Sequence, residues 1–354
     1  MSEENLTQTN VAEKPRHPFG YDVIRFIATF FIIAGHFVIY FKVNNLPIND
    51  FSYSLVLRFG IAALDLFFMI SGATIHINNQ KTPILKFYKK RWMNLFPIFY
   101  FCYIPLAIMR CISAKSFTLG LNPAKYLLSL IGFDGYLAII TPTYVIIGEW
   151  FLGMIIMVYL AYPLLRYFIK KDSVATWLVL LSGFMAVLLT DIGPYIDNQN
   201  IISCLFIFYC GMMFESYKQY ITTPVKIVSA IIAVALFFFP VFGSNIGFLV
   251  IHCFFILVTL YFAFDFVDTR KKEVKNNIFV KIIQKGCKVS FTCYLIHHVT
   301  QDKLIPIVFA KVQNTFLTFI ITTAVIIVLG LIVHFLFELF MKLLHNLFSK
   351  KTNS

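Results

Sequence analysis

Arg25 and His36 share one apolar run, Tyr21 to Tyr40, that reads YDVIRFIATFFIIAGHFVIY. An arginine brings a permanent charge and a planar fork of N–H donors that match phosphate oxygens. A histidine can take up a proton as a general base, or attack a carbonyl carbon itself. Eleven residues separate the two, which at ~100° per residue is about 20° past three full turns. Both side chains therefore lie on one face of one helix, roughly 16 Å apart along its axis. Asp22 and Thr29 fall near the same stripe. Ionisable residues inside a membrane span are costly and mark sites or pairs, so this polar seam needs a reason.

The element that positions them is a span in a polytopic membrane protein. Of 354 residues, 59% are hydrophobic, 18% aromatic and only 13% charged, too little charge for a soluble surface of this size. Unbroken apolar runs of about twenty residues favour helices over the alternating pattern of a membrane barrel. The expected fold is all-α, with about ten transmembrane helices over 21–41, 56–78, 92–112, 144–167, 174–190, 200–216, 225–242, 246–264, 288–309 and 315–342. Residues 117–140, broken by Gly120, Pro123, Gly132 and Gly135, read as an interfacial or re-entrant segment. Residues 1–19 form a polar tail, 20–345 the membrane domain and 346–354 a second tail. The first apolar run is a retained span, because no short apolar region with a small-residue cleavage site precedes it.

Thirty Lys and Arg against seventeen Asp and Glu give a net charge of +13. In a soluble protein that excess would suggest nucleic acid; here it reports orientation. With the N-terminus in the cytoplasm, the segments on that side hold 22 Lys or Arg and the opposite segments 5. That bias predicts both termini in the cytoplasm. The basic stretch 265–288 is expected to be the largest soluble loop, attracted to anionic lipid. The seven cysteines show no CxxC pair and no zinc spacing, so buried free thiols are expected and no metal site. HExxH, GxSxG, Walker and GxGxxG patterns are absent, which removes the usual signatures of metal hydrolysis, serine hydrolysis, nucleotide hydrolysis and dinucleotide redox chemistry.

Further candidates lie on other spans. Arg58, Asp65, Gly72 and His76 share a face of the second span at intervals of seven, seven and four residues. Asp65 either orients His36 as a carboxylate–imidazole dyad across the helix interface, or pairs with Arg58 and lines a polar cavity. Lys86, Lys89, Lys90 and Arg91 form a basic collar, either an ordinary positive-inside loop or, with Arg25, a phosphate site. Glu149 is a candidate contact for a substrate at the outer face, and Trp150 is an interfacial anchor or a sugar-stacking ring. His297 and His298 sit at mid-depth of the ninth span. Adjacent side chains diverge by ~100°, so at most one of the two is expected to face a pocket. His252 and His334 read as lone histidines bonded to backbone.

The R-x10-H pattern of Arg25 and His36, with ALDLFFMISG (63–72), KKRWMNLFP (89–97), EWFLGMIIMVYLAYPLL (149–165) and CYLIHH (293–298), resembles the membrane acyltransferase-3 family from about residue 20 to 340. The resemblance implies an integral O-acyltransferase of the bacterial plasma membrane. It would move an acyl group, usually acetyl, from cytosolic acetyl-CoA as co-substrate to a sugar of a surface polysaccharide or lipid-linked glycan. It implies that His36 is the essential histidine and Arg25 its partner, and that Arg91 opens an R-x-x-R donor segment whose second position here is Asn94. On that reading Arg25, Arg91 and Lys90 would hold the donor phosphates, and Glu149, Trp150 and His297 would face the acceptor. No tightly bound cofactor and no nucleic-acid partner is expected. His36 could deprotonate the acceptor hydroxyl or carry the acyl group covalently. A glycan exporter is the alternative class, needing a polar pathway but no acyl donor.

Overall fold

The structure, a computed structural model, describes residues 17–144, 147, 149–190, 199–238, 246–269 and 276–351. Among them are ten helices of sixteen residues or more and no strand. These are α1 (Phe19–Val43), α2 (Asp50–Asn79), α3 (Ile84–Ala114), α4 (Glu149–Lys171), α5 (Ser173–Leu189), α6 (Ile201–Tyr217), α7 (Thr223–Phe238), α8 (Ile246–Phe264), α9 (Ile278–Val312) and α10 (Thr315–Lys351). They follow the ten apolar segments of the sequence in order. Seven of the described helices are long and apolar enough to cross a membrane: α1, α2, α3, α4, α6, α8 and α10. The helices α5 and α7 are shorter. α9 is long enough but carries Lys281, Lys285 and Lys288 near one end and Asp302, Lys303 and Lys311 near the other.

The segment between α3 and α4 resolves into a short 3-10 turn at Pro123–Lys125 and two brief helices at Tyr126–Leu130 and Asp134–Leu137, and no continuous crossing. Two expectations change. The basic stretch 265–288 is not one loop, because α9 already begins at Ile278, where Asn277 caps it by accepting from Phe279 N. Residues 346–351, expected in a tail, continue α10. Of the tail expected over residues 1–19, residues 1–16 lie outside the described residues, and Phe19 already opens α1.

α1 is the hub. It packs against α2, α9, α8 and α10, and its buried residues run from Phe19 to Phe41. α2 has a neighbour on either side. Toward α1, a Cβ built on Gly60 would approach Gly35 Cα to 3.2 Å. Toward α6, Gly72 sits against the carbonyl of Phe208, and Gly211 against that of Met69, with no room for a side chain at either. Small residues let helix backbones close to this distance where lipid supplies no hydrophobic drive to associate.

α1 and α9 run in the same direction. Cys287 Sγ donates to Asp22 O at 2.9 Å near one end, and Gln301 Nε2 donates to Ile33 O at 2.9 Å near the other. These bonds set the register of the pair.

Candidate active site

His36 lies on α1 one turn beyond the Gln301 contact. Its ring centroid is 4.9 Å from that of His297 and 4.9 Å from that of His298, at interplanar angles of 58° and 68°. The His297 and His298 rings are themselves 5.6 Å apart, so the three imidazoles form one cluster. His297 is fully buried, and its Nδ1 lies 2.6 Å from Tyr294 O. A carbonyl only accepts, so Nδ1 carries a proton. His298 is more open, with 37% of its side chain exposed, and its Nδ1 is 3.7 Å from Asp302 Oδ2 one turn along α9.

An aromatic path leaves the imidazoles toward α4. Tyr294 stacks beside His297 at 5.7 Å, Phe151 meets Tyr294 edge-on at 5.5 Å, and Trp150 meets Phe151 edge-on at 6.2 Å. Trp150 is partly buried against the main core. Glu149 supplies the first residue of α4, and its side chain lies outside the described residues.

Asp65 does not join His36, and no hydrogen bond or ion pair links them. It is 1% exposed, its Oδ2 has no hydrogen-bond partner, and its electrostatic neighbours are the thiols of Cys204 on α6 and Cys253 on α8. The reason lies in the helical wheel. Asp65 shares a face with Gly72, which meets α6, and stands ~140° round the helix from Gly60, which meets α1.

At the other end of the seam, Arg25 is 26% exposed and pairs with Asp22 at 3.4 Å. Thr29 Oγ1 donates to Arg25 O at 2.8 Å. The surrounding backbone is tied down closely. Phe19 N donates to Asp268 Oδ2 at 2.9 Å. Tyr21 donates its hydroxyl to Glu215 Oε2, which also takes Lys218 Nζ at 2.9 Å. Lys218 Nζ in turn donates to Tyr261 OH at 2.5 Å and lies 4.3 Å from that ring's centroid. This buried network escaped sequence reasoning. Its signal was the Glu215–Lys218 pair, three residues apart at the end of an apolar run.

Arg91 and Lys90 form a separate basic neighbourhood, with no hydrogen bond or ion pair to Arg25. The Arg91 guanidinium lies 5.7 Å from the Phe87 ring and 5.9 Å from the Tyr159 ring, and its buried Nε has no partner. Lys90 is half-buried beside Arg91 and Lys86. Asn94 is exposed, so that position does not turn toward Arg91's partners. Arg166 of α4 approaches instead. Its Nη1 donates to Asn79 O at 2.8 Å and Thr82 O at 2.6 Å, closing the end of α2. Tyr162 feels both arginines, and buried His76 lies near Arg166 and Lys170. The sequence shows Arg166 only as one charge among many in a basic stretch.

His252 is bonded to backbone as expected, with Nε2 2.9 Å from Ala233 O. His334 is not: it meets Thr292 Oγ1 at 3.3 Å and Glu338 at 3.6 Å. Two cavities, of about 950 Å³ among α5–α8 and about 580 Å³ along the far half of α3, have linings that include neither Arg25 nor His36.

A family model described as an acyltransferase domain matches residues 19–338. No curated protein and no solved structure matches the chain.

Proposed function

The chain belongs to the membrane acyltransferase-3 family, and from that premise we propose that it is an O-acetyltransferase working across the bilayer. Its donor is acetyl-CoA, and its acceptor is a hydroxyl on a sugar of a surface polysaccharide or lipid-linked glycan. The membrane is the bacterial plasma membrane, with both termini in the cytoplasm, as the Lys and Arg bias supports.

The observation that carries this reading is the pairing of Arg25 and His36 on one helix face, with a cluster of imidazoles at the His36 end only. A purely structural role gives no reason for three histidines to meet within a membrane bundle. A transfer reaction does, because imidazole can take a proton or carry an acyl group. Away from the imidazoles, Arg25 and the separate group of Arg91, Arg166 and Lys90 supply cationic donors, which suits the phosphates of a coenzyme A thioester. The coenzyme's arm then reaches up the seam toward His36, where the thioester meets an acceptor entering from the other side. Trp150, partly buried and packed edge-on against Phe151, offers an aromatic face on that side for a sugar ring.

The test is His36→Ala in the native host, with ester-linked acetyl on surface glycans measured against protein level in the membrane. Loss of the acetyl with normal insertion is the expected result. An unchanged acetyl content would remove His36 from the chemistry.

A further inference from the structure

We propose that His298, backed by Asp302, is the general base that activates the acyl acceptor, while His36 carries the acyl group covalently. The inference rests on the transferase reading above. A single imidazole suffices if the acceptor hydroxyl attacks the thioester directly. It does not suffice once that imidazole is acylated, because the acyl group withdraws electron density from the ring and leaves its other nitrogen a poor base. A second base beside His36 is then required, and the structure holds two further rings, each 4.9 Å from it.

Exposure separates their roles. His297 is fully buried, with Nδ1 committed to Tyr294 O at 2.6 Å, so no substrate hydroxyl reaches it. It is a positioning residue for His36. The side chains of His298 and Asp302 are 37% and 53% exposed, open to a ligand from outside the bundle. The Asp302 carboxylate lies 3.7 Å from His298 Nδ1, which favours a proton on that nitrogen and makes Nε2 the basic one. The same carboxylate stabilises the imidazolium that forms when the proton arrives. Gln301, hydrogen-bonded to Ile33 O, fixes this stretch of α9 against α1 just below His36.

The steps balance. One nitrogen of His36 attacks the thioester carbonyl, the C–S bond breaks, and the thiolate takes the proton from the ring's other nitrogen. The acceptor hydroxyl then gives its proton to His298 Nε2 as its oxygen attacks the acyl carbon. The C–N bond breaks, and the proton passes from His298 to the departing His36 ring. Thioester and alcohol become ester and thiol, with no net proton exchanged.

The full chain in detergent, mixed with radiolabelled acetyl-CoA and no sugar, tests this. Free thiol and protein-bound label are followed together. The wild type should release about one thiol per protein in a burst, then turn over slowly as water discharges the acyl group. His298→Gln should keep the burst and lengthen the lifetime of the bound label by about 10²-fold, the lower range for loss of a general base. Hydroxylamine, which attacks without a base, should discharge wild type and variant at similar rates. Asp302→Asn should lengthen the lifetime by a smaller factor. A bound label that decays at the wild-type rate in His298→Gln overturns the proposal, as does a burst that falls in step with decay. Thiol release without bound label shows direct transfer and also overturns it. If wild type releases no thiol at all, the acetyl-CoA reading itself has failed.

Discussion

Replacing Glu215 with leucine should destabilise the fold by about 4 kcal/mol, and replacing Lys218 with methionine in the same chain should recover most of the loss. Glu215 is 5% and Lys218 18% exposed at the side chain, and they meet at 2.9 Å. Removing one member of such a buried pair costs ~3–5 kcal/mol, because the remaining charge has lost its counter-ion. Lys218 keeps its contact with the Tyr261 hydroxyl and ring, worth about 1 kcal/mol, so the lower end applies. The Tyr21 hydroxyl loses its Glu215 acceptor, which adds roughly 1 kcal/mol. Leucine and methionine together leave no uncompensated charge, and such apolar replacements are often neutral or stabilising. Reversible unfolding in mixed micelles with a denaturing detergent reads these free energies directly. A double-mutant coupling of about 2 kcal/mol or more is expected. Additive single effects would refute the argument, because they would mean that the two charges do not depend on each other.

Gly211→Val should prevent stable assembly, since the side chain would be driven into the Met69 carbonyl, and backbone cannot rotate away. Membrane-extracted protein should then elute as aggregate in size-exclusion chromatography, whereas Gly120→Ala, with open space around it, should elute normally apart from modest strain at its positive φ of 77°. Arg166→Met should raise the KM for acetyl-CoA more than it lowers kcat, as Arg91→Met should, because both guanidinium groups border Tyr162 at the donor end. Asp65→Asn should leave turnover within a few-fold of wild type. Loss of a carboxylate that holds a catalytic imidazole costs up to ~10⁴ in kcat, so a fall of that order would show that Asp65 does serve His36.

Much of the helical layout was legible because apolar length is a strong signal and the spans are long. α1 and α2 could be drawn to within a few residues of their ends, apart from the first turns of α2. α9 could not, because lysines at one end and an Asp–Lys pair at the other make its ends look like loops. The alignment of Arg25 with His36 followed from helical geometry within one element. What sits opposite each residue did not, since it depends on how separate helices turn relative to one another. Asp65 shows the difference. Its own face was read correctly, with Gly72 and His76, but that face meets α6 and α8 and not α1. His297 and His298 show it again: their divergence along α9 was readable, but that both rings lie 4.9 Å from His36 depends on how α9 turns toward α1.

The register of α9 explains how one helix comes to attend both ends of the α1 face that carries Arg25 and His36. α9 contacts α1 near Arg25 through Cys287 and near His36 through Gln301, and the two helices run parallel. The contacts are fourteen residues apart on α9 and eleven on α1, roughly 21 Å against 16 Å of helix. Two straight parallel helices cannot match those lengths with bonds perpendicular to both. The bonds therefore run obliquely, and the reach of the Cys287 and Gln301 side chains takes up the difference. The turns of α9 that carry Cys287 thus lie beside Asp22, while those that carry the imidazoles lie beside His36. The two ends of the seam are thus attended by two helices. α1 sets the ~16 Å interval, and α9 determines which side chains attend each end.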